Sequence, residues 1–464
     1  MPKLNPDDTI AALSTPPGEG GIAVIRVSGK DALSVCERFF RASLNGKLTQ
    51  VASHTIHHGE FLDELGEMID EVLVSIFRAP HSYTGEEVVE ISCHGGIRIT
   101  QRILETLLRH GARPAEPGEF TKRAFLHGKM DLTQAEAVLD LIRARSDSAL
   151  EVAVQQLQGN LSKKISHLKE SLMKIYAHFE ASLDFPDERL EVYSRETFLK
   201  ELARIEEELS TLIASFKRGE ILREGILTVI VGRPNVGKSS LLNTLLEKDR
   251  ALVSAIPGTT RDALEETLEI GRMAIRLVDT AGLGLGSRSE LDQMGMERTR
   301  RYLKEGRLFL FLIEGSSEWT REDEMILSEL EGKDFLLVIN KTDLPQKLQF
   351  ELLAQRLLDH NKPCFISCLN QTGIPELEKR MEGKIRQIAG VQESATLTRL
   401  RHRQALEKAR GALQQGGKNF EKELSTEFIL EDLKGAIESL QELIGEVYSE
   451  DLLDVIFQEF CIGK

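Results

Sequence analysis

ILTVIVGRPNVGKSS, residues Ile226 to Ser240, decides how the middle of this 464-residue chain folds. Ile226 to Val231 is a short apolar and β-branched run that reads as a strand buried on both faces. Gly232-Arg-Pro-Asn-Val-Gly237-Lys238-Ser239 then fits G-x-x-x-x-G-K-[ST]. In that pattern a glycine-rich turn lets backbone N–H groups wrap phosphates at the start of a helix. Lys238 would bring a point charge to the outer phosphates, and the Ser239 hydroxyl would reach Mg²⁺. Asn235, Val236, Gly237 and Ser240 complete the expected phosphate loop.

Downstream, AIRLVDT, RLFLFLI, DFLLVIN and CFISC alternate with helical stretches, the pattern of a parallel sheet with helices on its faces. Asp279-Thr280-Ala281-Gly282 ends the first of these strands, where a carboxylate can hold a metal through water and a glycine N–H can meet a γ-phosphate. Asn340-Lys341-Thr342-Asp343 ends the third. A carboxylate there accepts both N–H donors of the guanine edge, a pair that adenine lacks. Gly258-Thr259-Thr260 lies between the first two motifs and supplies a hydroxyl for the metal. Four motifs in this order predict a guanine-nucleotide site, with Lys238 and Thr260 acting in hydrolysis.

The chain around this insert is different in texture. Residues 1–121 mix strand runs (GIAVIRVSG, EVLVSIF, VVEISCHGG) with helical ones and read as α+β. Residues 122–219 and 380–464 are helical; Ile205, Leu209, Leu212, Ile213 and Phe216 form one stripe, and Leu433, Ile437, Leu440, Leu443 and Ile444 another. The expected organisation is a helical domain interrupted by a GTPase domain at 220–379. The net charge of −15 argues against a broad nucleic-acid face. Basic stretches at 98–129 and 399–410 remain, as local patches or as solvated helix faces. The five cysteines are scattered and read as reduced core thiols, without a zinc or disulfide framework. Cys93-His94 is at most half a metal site. The start MPKLNPDDTIAAL has no secretory pattern and the apolar runs are strand-length, so a cytoplasmic location is expected.

The blocks DTIAALSTPPGEGGIAVIRVSG, SYTGEEVVEISCHGG, PGEFTKRAFLHGKMDLTQAEAV, GRPNVGKSSLLN, PGTTRD and the terminal FCIGK resemble the tRNA-modification GTPase family MnmE (TrmE) over almost the whole chain. The resemblance implies a homodimer formed through an N-terminal tetrahydrofolate-binding domain, and an FAD-containing partner of the MnmG type. Together the two would install a carboxymethylaminomethyl-type group at C5 of the wobble uridine of certain tRNAs. By matched position the folate contacts are Arg26, Glu90, Lys129 and Lys464. The resemblance also implies K⁺ activation, with Asn235, Ser254, Ile256 and Thr259 as ligands and Ser239 and Thr260 on Mg²⁺. Ala255, Pro257 and Gly258 belong to the same loop, and Ser367, Cys368 and Leu369 to the last guanine loop.

Several positions depart from that family pattern. After Gly282 the family usually carries a hydrophobic residue and an arginine, and here it is Leu283-Gly284 inside GLGLGS; better-known small GTPases place at Leu283 a glutamine that orients water. The glutamate expected to orient the attacking water aligns with Asp292, one methylene shorter, with Glu290 as a neighbour; Arg261 also lies near the switch. Ser367-Cys368-Leu369 stands for S-A-K, keeping a backbone N–H and losing a lysine. Other readings are a GTP binder with little turnover, a GTP-dependent ribosome-assembly switch, and a folate enzyme acting alone. Cys461 reads as part of a packed terminus rather than as a nucleophile.

Overall fold

The computed structural model describes residues 8–43, 47–184, 194–250, 265–279, 300–348, 362–390 and 397–464. The chain divides into two compact units: Met1–Leu139 with Ser162–Met173 and Ile437–Lys464, and Asp140–Leu161 with Lys174–Ala436.

The first unit is built on a seven-stranded sheet of β1 (Ile10–Leu13), β2 (Gly20–Ser28), β3 (Phe40–Ala42), β4 (Thr55–Leu62), β5 (Met68–Phe77), β6 (Val88–Gly95) and β7 (Arg113–Pro114), in the order β3-β4-β5-β6-β2-β1-β7. All pairings are antiparallel except that of β1 with β7. Residues alternate across a pleated strand, so Val72, Val74 and Ile76 of β5 point to one side. There they join Ile25, Phe61, Ile91, Ile103 and Leu107 in a core, covered by α1 (Ala32–Glu37) and α2 (Ile97–Arg109). The same alternation separates Cys93 from His94. Cys93 is buried, and burial first, then the charge of Asp70, pushes its thiol up to about 11. His94 is exposed and pairs with Asp70 at 2.8 Å. Among the described residues no His, Cys, Asp and Glu cluster is arranged to hold a metal ion.

The basic stretch at 98–129 divides: Arg98, Arg102 and Arg109 lie on the solvated face of α2, and other basic residues are paired or turned inward. Arg102 and Arg109 pair with Asp63 and Glu64, and two arginines turn inward. On α3 (Glu119–Leu126) the Arg123 guanidinium, almost wholly buried, reaches both oxygens of Glu86 at 3.0 Å and Glu119 Oε1 at 2.9 Å. Arg113 grips Glu119 with two N–H groups at 2.8 and 2.7 Å. Glu86 also accepts the Ser28 hydroxyl at 2.7 Å. Buried charges persist only when paired and hydrogen-bonded on this scale. At the second basic stretch Arg399 pairs with Asp140 at 2.6 Å and Arg403 with Glu407 at 2.8 Å.

The second unit carries a six-stranded sheet of β8 (Ile226–Val231), β9 (Glu265–Ile270), β10 (Met273–Asp279), β11 (Leu308–Glu314), β12 (Phe335–Asn340) and β13 (Cys364–Phe365), in the order β13-β12-β11-β8-β10-β9. Five strands run parallel as expected, but β9 is an antiparallel edge strand joined to β10 by a tight turn at Gly271-Arg272. The signal was present in Glu265-Glu-Thr-Leu-Glu-Ile, whose polar content hid a half-buried edge strand. One face packs on Leu241 and Leu245 of α9 (Lys238–Arg250) and on Leu377 and Met381 of the helix Ile374–Ala389. The other buries Phe309, Phe311, Tyr302 and Leu330.

The helical remainder includes α4 (Leu132–Arg143), α5 (Asp147–Leu157), α6 (Asn160–Asp184), α7 (Arg195–Ala214) and α8 (Phe216–Glu224), with Leu400–Glu421, Thr426–Ile444 and Glu450–Phe457 near the C-terminus. The two sequence stripes are buried, apart from half-buried Ile213. Phe179, Phe198 and Phe420 close a ring cluster with centroids 4.3 to 6.0 Å apart. Among the described residues no helix is long and apolar enough to cross a membrane.

Candidate nucleotide-binding site

β8 is buried along its whole length between β10 and β11, so its C-terminal end is fixed in place. Register puts the other motifs at the same edge: Asp279 lies opposite Ile230, and Asn340 opposite Glu314 at the end of β11. Ligands of open α/β sheets bind beyond this carboxyl edge. The phosphate loop leaves β8 at Gly232 and enters α9 at Lys238.

Two glycines of the loop have a steric reason. A Cβ on Gly232 would come within 2.2 Å of the Leu312 carbonyl oxygen. Gly237 has φ +100°, and a Cβ there would sit 2.3 Å from the Asn340 amide nitrogen. Gly237→Ala should therefore weaken GDP binding by about two orders of magnitude through strain and lost loop shape. A fluorescent-nucleotide titration checks it, and unaltered affinity would contradict the steric argument.

Lys238 is buried, and its amine donates to the carbonyls of Gly232 and Arg233, both at 2.8 Å. Burial lowers its pKa, opposed by the charge of Asp279. A phosphate would offer the same amine anionic acceptors in place of neutral ones. The Ser239 hydroxyl donates to Asp279 Oδ2 at 2.5 Å. A serine oxygen and a carboxylate oxygen brought together are hard donors of the kind that suit Mg²⁺.

On the base side, Asn340 is a staple. Its amide donates to the Val236 carbonyl at 2.9 Å, and its Oδ1 accepts the Cys368 N–H at 3.2 Å. The Cys368 N–H expected to face the base is thus held by Asn340. Asp343 Oδ1 accepts the Ser367 hydroxyl at 2.5 Å. Lys341 adopts a left-handed backbone, φ 61°, and its amine pairs with Glu314 at 3.0 Å. Leu369 is largely exposed, and Ser240 lies in the first turn of α9. Asn235 also has a left-handed backbone, φ 65°.

Ser254, Ala255, Ile256, Pro257, Gly258, Thr259, Thr260, Arg261, Thr280, Ala281, Gly282, Leu283, Glu290 and Asp292 lie outside the described residues. Sequence reasoning missed Arg233, Asp323 and Glu314, which tie the loops together. Thr320-Arg-Glu-Asp323 carries the T-x-x-D capping pattern that would have pointed to Asp323.

In the first unit, Arg26 and Glu90 are cross-strand partners on β2 and β6 and form an ion pair at 2.8 Å. The Arg26 guanidinium lies 5.0 Å from the Tyr83 ring and 5.5 Å from that of Phe120. Lys129 donates to the Pro80 carbonyl at 2.9 Å, three residues before Tyr83. Lys464 ends a terminus in which Gly463 abuts Leu13 and accepts the Ser14 hydroxyl at 3.0 Å. Phe460 is buried there, whereas the Cys461 thiol is exposed.

The loop between β8 and α9, the carboxylate facing its serine and the N-K-x-D turn after β12 define a P-loop GTPase domain carried within a larger chain. Residues 132–461 match the model of the MnmE helical domain, and residues 9–129 that of the GTP-binding protein TrmE N-terminus. The chain belongs to the tRNA modification GTPase MnmE family. It is 44% identical to the tRNA modification GTPase MnmE of Natranaerobius thermophilus, over 99% of this chain and 100% of that one. Identity to the protein of the same name from Moorella thermoacetica is 46%, again over 99% and 100%. For Alkaliphilus metalliredigens it is 42%, over 99% of both.

Proposed function

We propose that this chain is a GTP-hydrolysing tRNA-modification enzyme that, with an FAD-containing partner of the MnmG type, adds a carboxymethylaminomethyl-type group at C5 of wobble uridine 34 of certain tRNAs. The one-carbon donor is a tetrahydrofolate derivative in its 5-formyl or 5,10-methylene form. The observation that carries this reading is end-to-end similarity to tRNA modification GTPases, covering 99% of the chain. It works as a cytoplasmic homodimer, with residues 1–121 binding folate and joining the protomers. Residues 220–379 form the GTPase domain, and 122–219 with 380–464 the helical domain.

Within the nucleotide site, Lys238 and the loop N–H groups bind and orient the phosphates, and Asp343 selects the base. Ser239 and Thr260 would hold Mg²⁺, which when bound offsets charge on the β- and γ-phosphates. Asp292 would orient water, and Asn235 with Ser254, Ile256 and Thr259 would hold K⁺, which would supply positive charge to the reacting phosphates. In the first unit, the flat Arg26 guanidinium near the Tyr83 and Phe120 rings, beside the Glu90 carboxylate, suits a planar heterocycle bearing both donors and acceptors. Lys129 and Lys464 supply cations for the folate's glutamate tail.

At matched ionic strength, GTP hydrolysis should be at least about tenfold faster in K⁺ than in Na⁺, the monovalent ion standing in for an arginine finger. Equal, slow rates would remove cation-assisted catalysis. Cells lacking the protein should lose the C5 modification on mass spectrometry of tRNA nucleosides; a normal nucleoside profile would sink the modification reading.

A further inference from the structure

The nucleotide site is held from behind by a segment that carries no nucleotide motif. β11 ends at Glu314, and residues 314–323 run from there into the helix Arg321–Glu329. Asp323 is 1% exposed, and its two oxygens have separate work. Oδ2 accepts the N–H and the hydroxyl of Thr320, both at 2.9 Å, which closes the helix cap. Oδ1 accepts Arg233 Nε at 2.9 Å, and a second Arg233 nitrogen donates to Ser317 at 2.9 Å. The main-chain carbonyl of that same arginine is one of the two that hold the Lys238 amine.

At its other end the segment grips the base loop. Glu314 takes the ion pair from Lys341 at 3.0 Å and the Ser316 hydroxyl at 2.5 Å. Burial opposes ionisation of Glu314, yet these hydrogen bonds and the nearby cations hold its carboxyl below the usual range. Lys341 lies between Asn340, which ties down Val236, and Asp343.

We infer that residues 314–323 form a brace that fixes the phosphate loop against the guanine loop, with Arg233 and Glu314 as its positioning residues. The inference rests on the nucleotide-site reading above. The guanidinium fork is what lets one side chain hold Asp323 and Ser317 together; a lysine keeps the charge but cannot span both. Removing the fork frees the loop whose carbonyls seat Lys238, and removing the Glu314 charge frees only the base loop.

The test uses the full chain and energy transfer from Trp319, its single tryptophan, to methylanthraniloyl-GDP. Trp319 sits in the brace, its indole donating to Glu324 at 2.8 Å, so its own emission also reports whether the segment is folded. Arg233→Met should raise the GDP dissociation constant about tenfold, the size of a lost hydrogen bond to a charged group. It should leave the preference for GDP over inosine diphosphate unchanged, since both carry the same phosphates. Arg233→Lys should recover only part of the loss. Glu314→Gln should instead narrow that preference several-fold, about the change expected for a loosened base pocket. Wild-type affinity in both variants, or an equal fall in preference in both with native Trp319 emission, would overturn the brace. A wild-type protein with no preference for GDP over inosine diphosphate would instead overturn the site reading beneath it.

Discussion

Asp343→Asn is expected to lower GTP affinity by on the order of a thousandfold and to raise affinity for xanthosine triphosphate, in nucleotide titrations of the full chain. The carboxylate lies in the turn after β12, with its Oδ1 fixed by the Ser367 hydroxyl at 2.5 Å. Guanine offers two N–H donors on one edge, and an ionised carboxylate accepts both. Asparagine presents an N–H in place of one acceptor, so a donor meets a donor at the guanine edge. Such a mismatch loses a charge-assisted hydrogen bond and sets two donors against each other, which costs more than a lost hydrogen bond alone. Xanthine carries a carbonyl where guanine has its amine and restores the complement. If the variant still prefers GTP to xanthosine triphosphate, Asp343 does not read the base.

Arg123→Met should destabilise the first unit by about 3–5 kcal/mol. Its guanidinium holds Glu86 and Glu119 within hydrogen-bonding distance, and all three side chains are largely buried. Methionine fills part of the space but leaves the Glu86 carboxylate without its cation, while Glu119 keeps Arg113. The loss should appear in hydrogen exchange as faster opening of residues 80–86 and 119–127. Tyr83 is held there by Thr121 at 2.8 Å, and Thr84 by His127 at 2.9 Å. Folate affinity should fall with it, while GTP hydrolysis in the other unit continues. Protection equal to the wild type would show that the network is dispensable.

The same network has a pH dependence of defined sign. Burial alone would raise the Glu119 pKa, but hydrogen bonds from Arg113, from the Glu116 N–H and from Arg123 hold it below the usual value. A lowered carboxylate pKa stabilises the fold above the unfolded value, about 4.3, and that contribution is lost as pH falls through the folded one. In the wild-type protein these segments should therefore open in acid, below the ordinary carboxylate range.

What could be read without coordinates was whatever depends on neighbours along the chain. The buried strand Ile226–Val231, the turn glycines after it and the helix beginning at Lys238 follow from local periodicity and backbone sterics. So does the placement of Asp279 and Asn340 at strand ends, because parallel strands must share one carboxyl edge. The stripes of α7 and of the helix Thr426–Ile444 were legible for the same reason, each being a property of one helix.

Tertiary structure alone decided the partners of the charged groups. Nothing near Arg123 in sequence says that it will be buried against Glu86, 37 residues away. Nor does anything near Arg233 say that it will meet Asp323, 90 residues away. Arg26 and Glu90 could be matched to a site by resemblance, but that they neutralise each other across β2 and β6 is a matter of strand register. The polar edge strand β9 escaped notice because an edge position relaxes the demand for apolar residues that marks a central strand. A local pattern specifies an element because its cause lies within a few residues. An ion pair is specified only once the fold has set which distant side chains share a dry space, and Coulomb attraction there grows as water leaves.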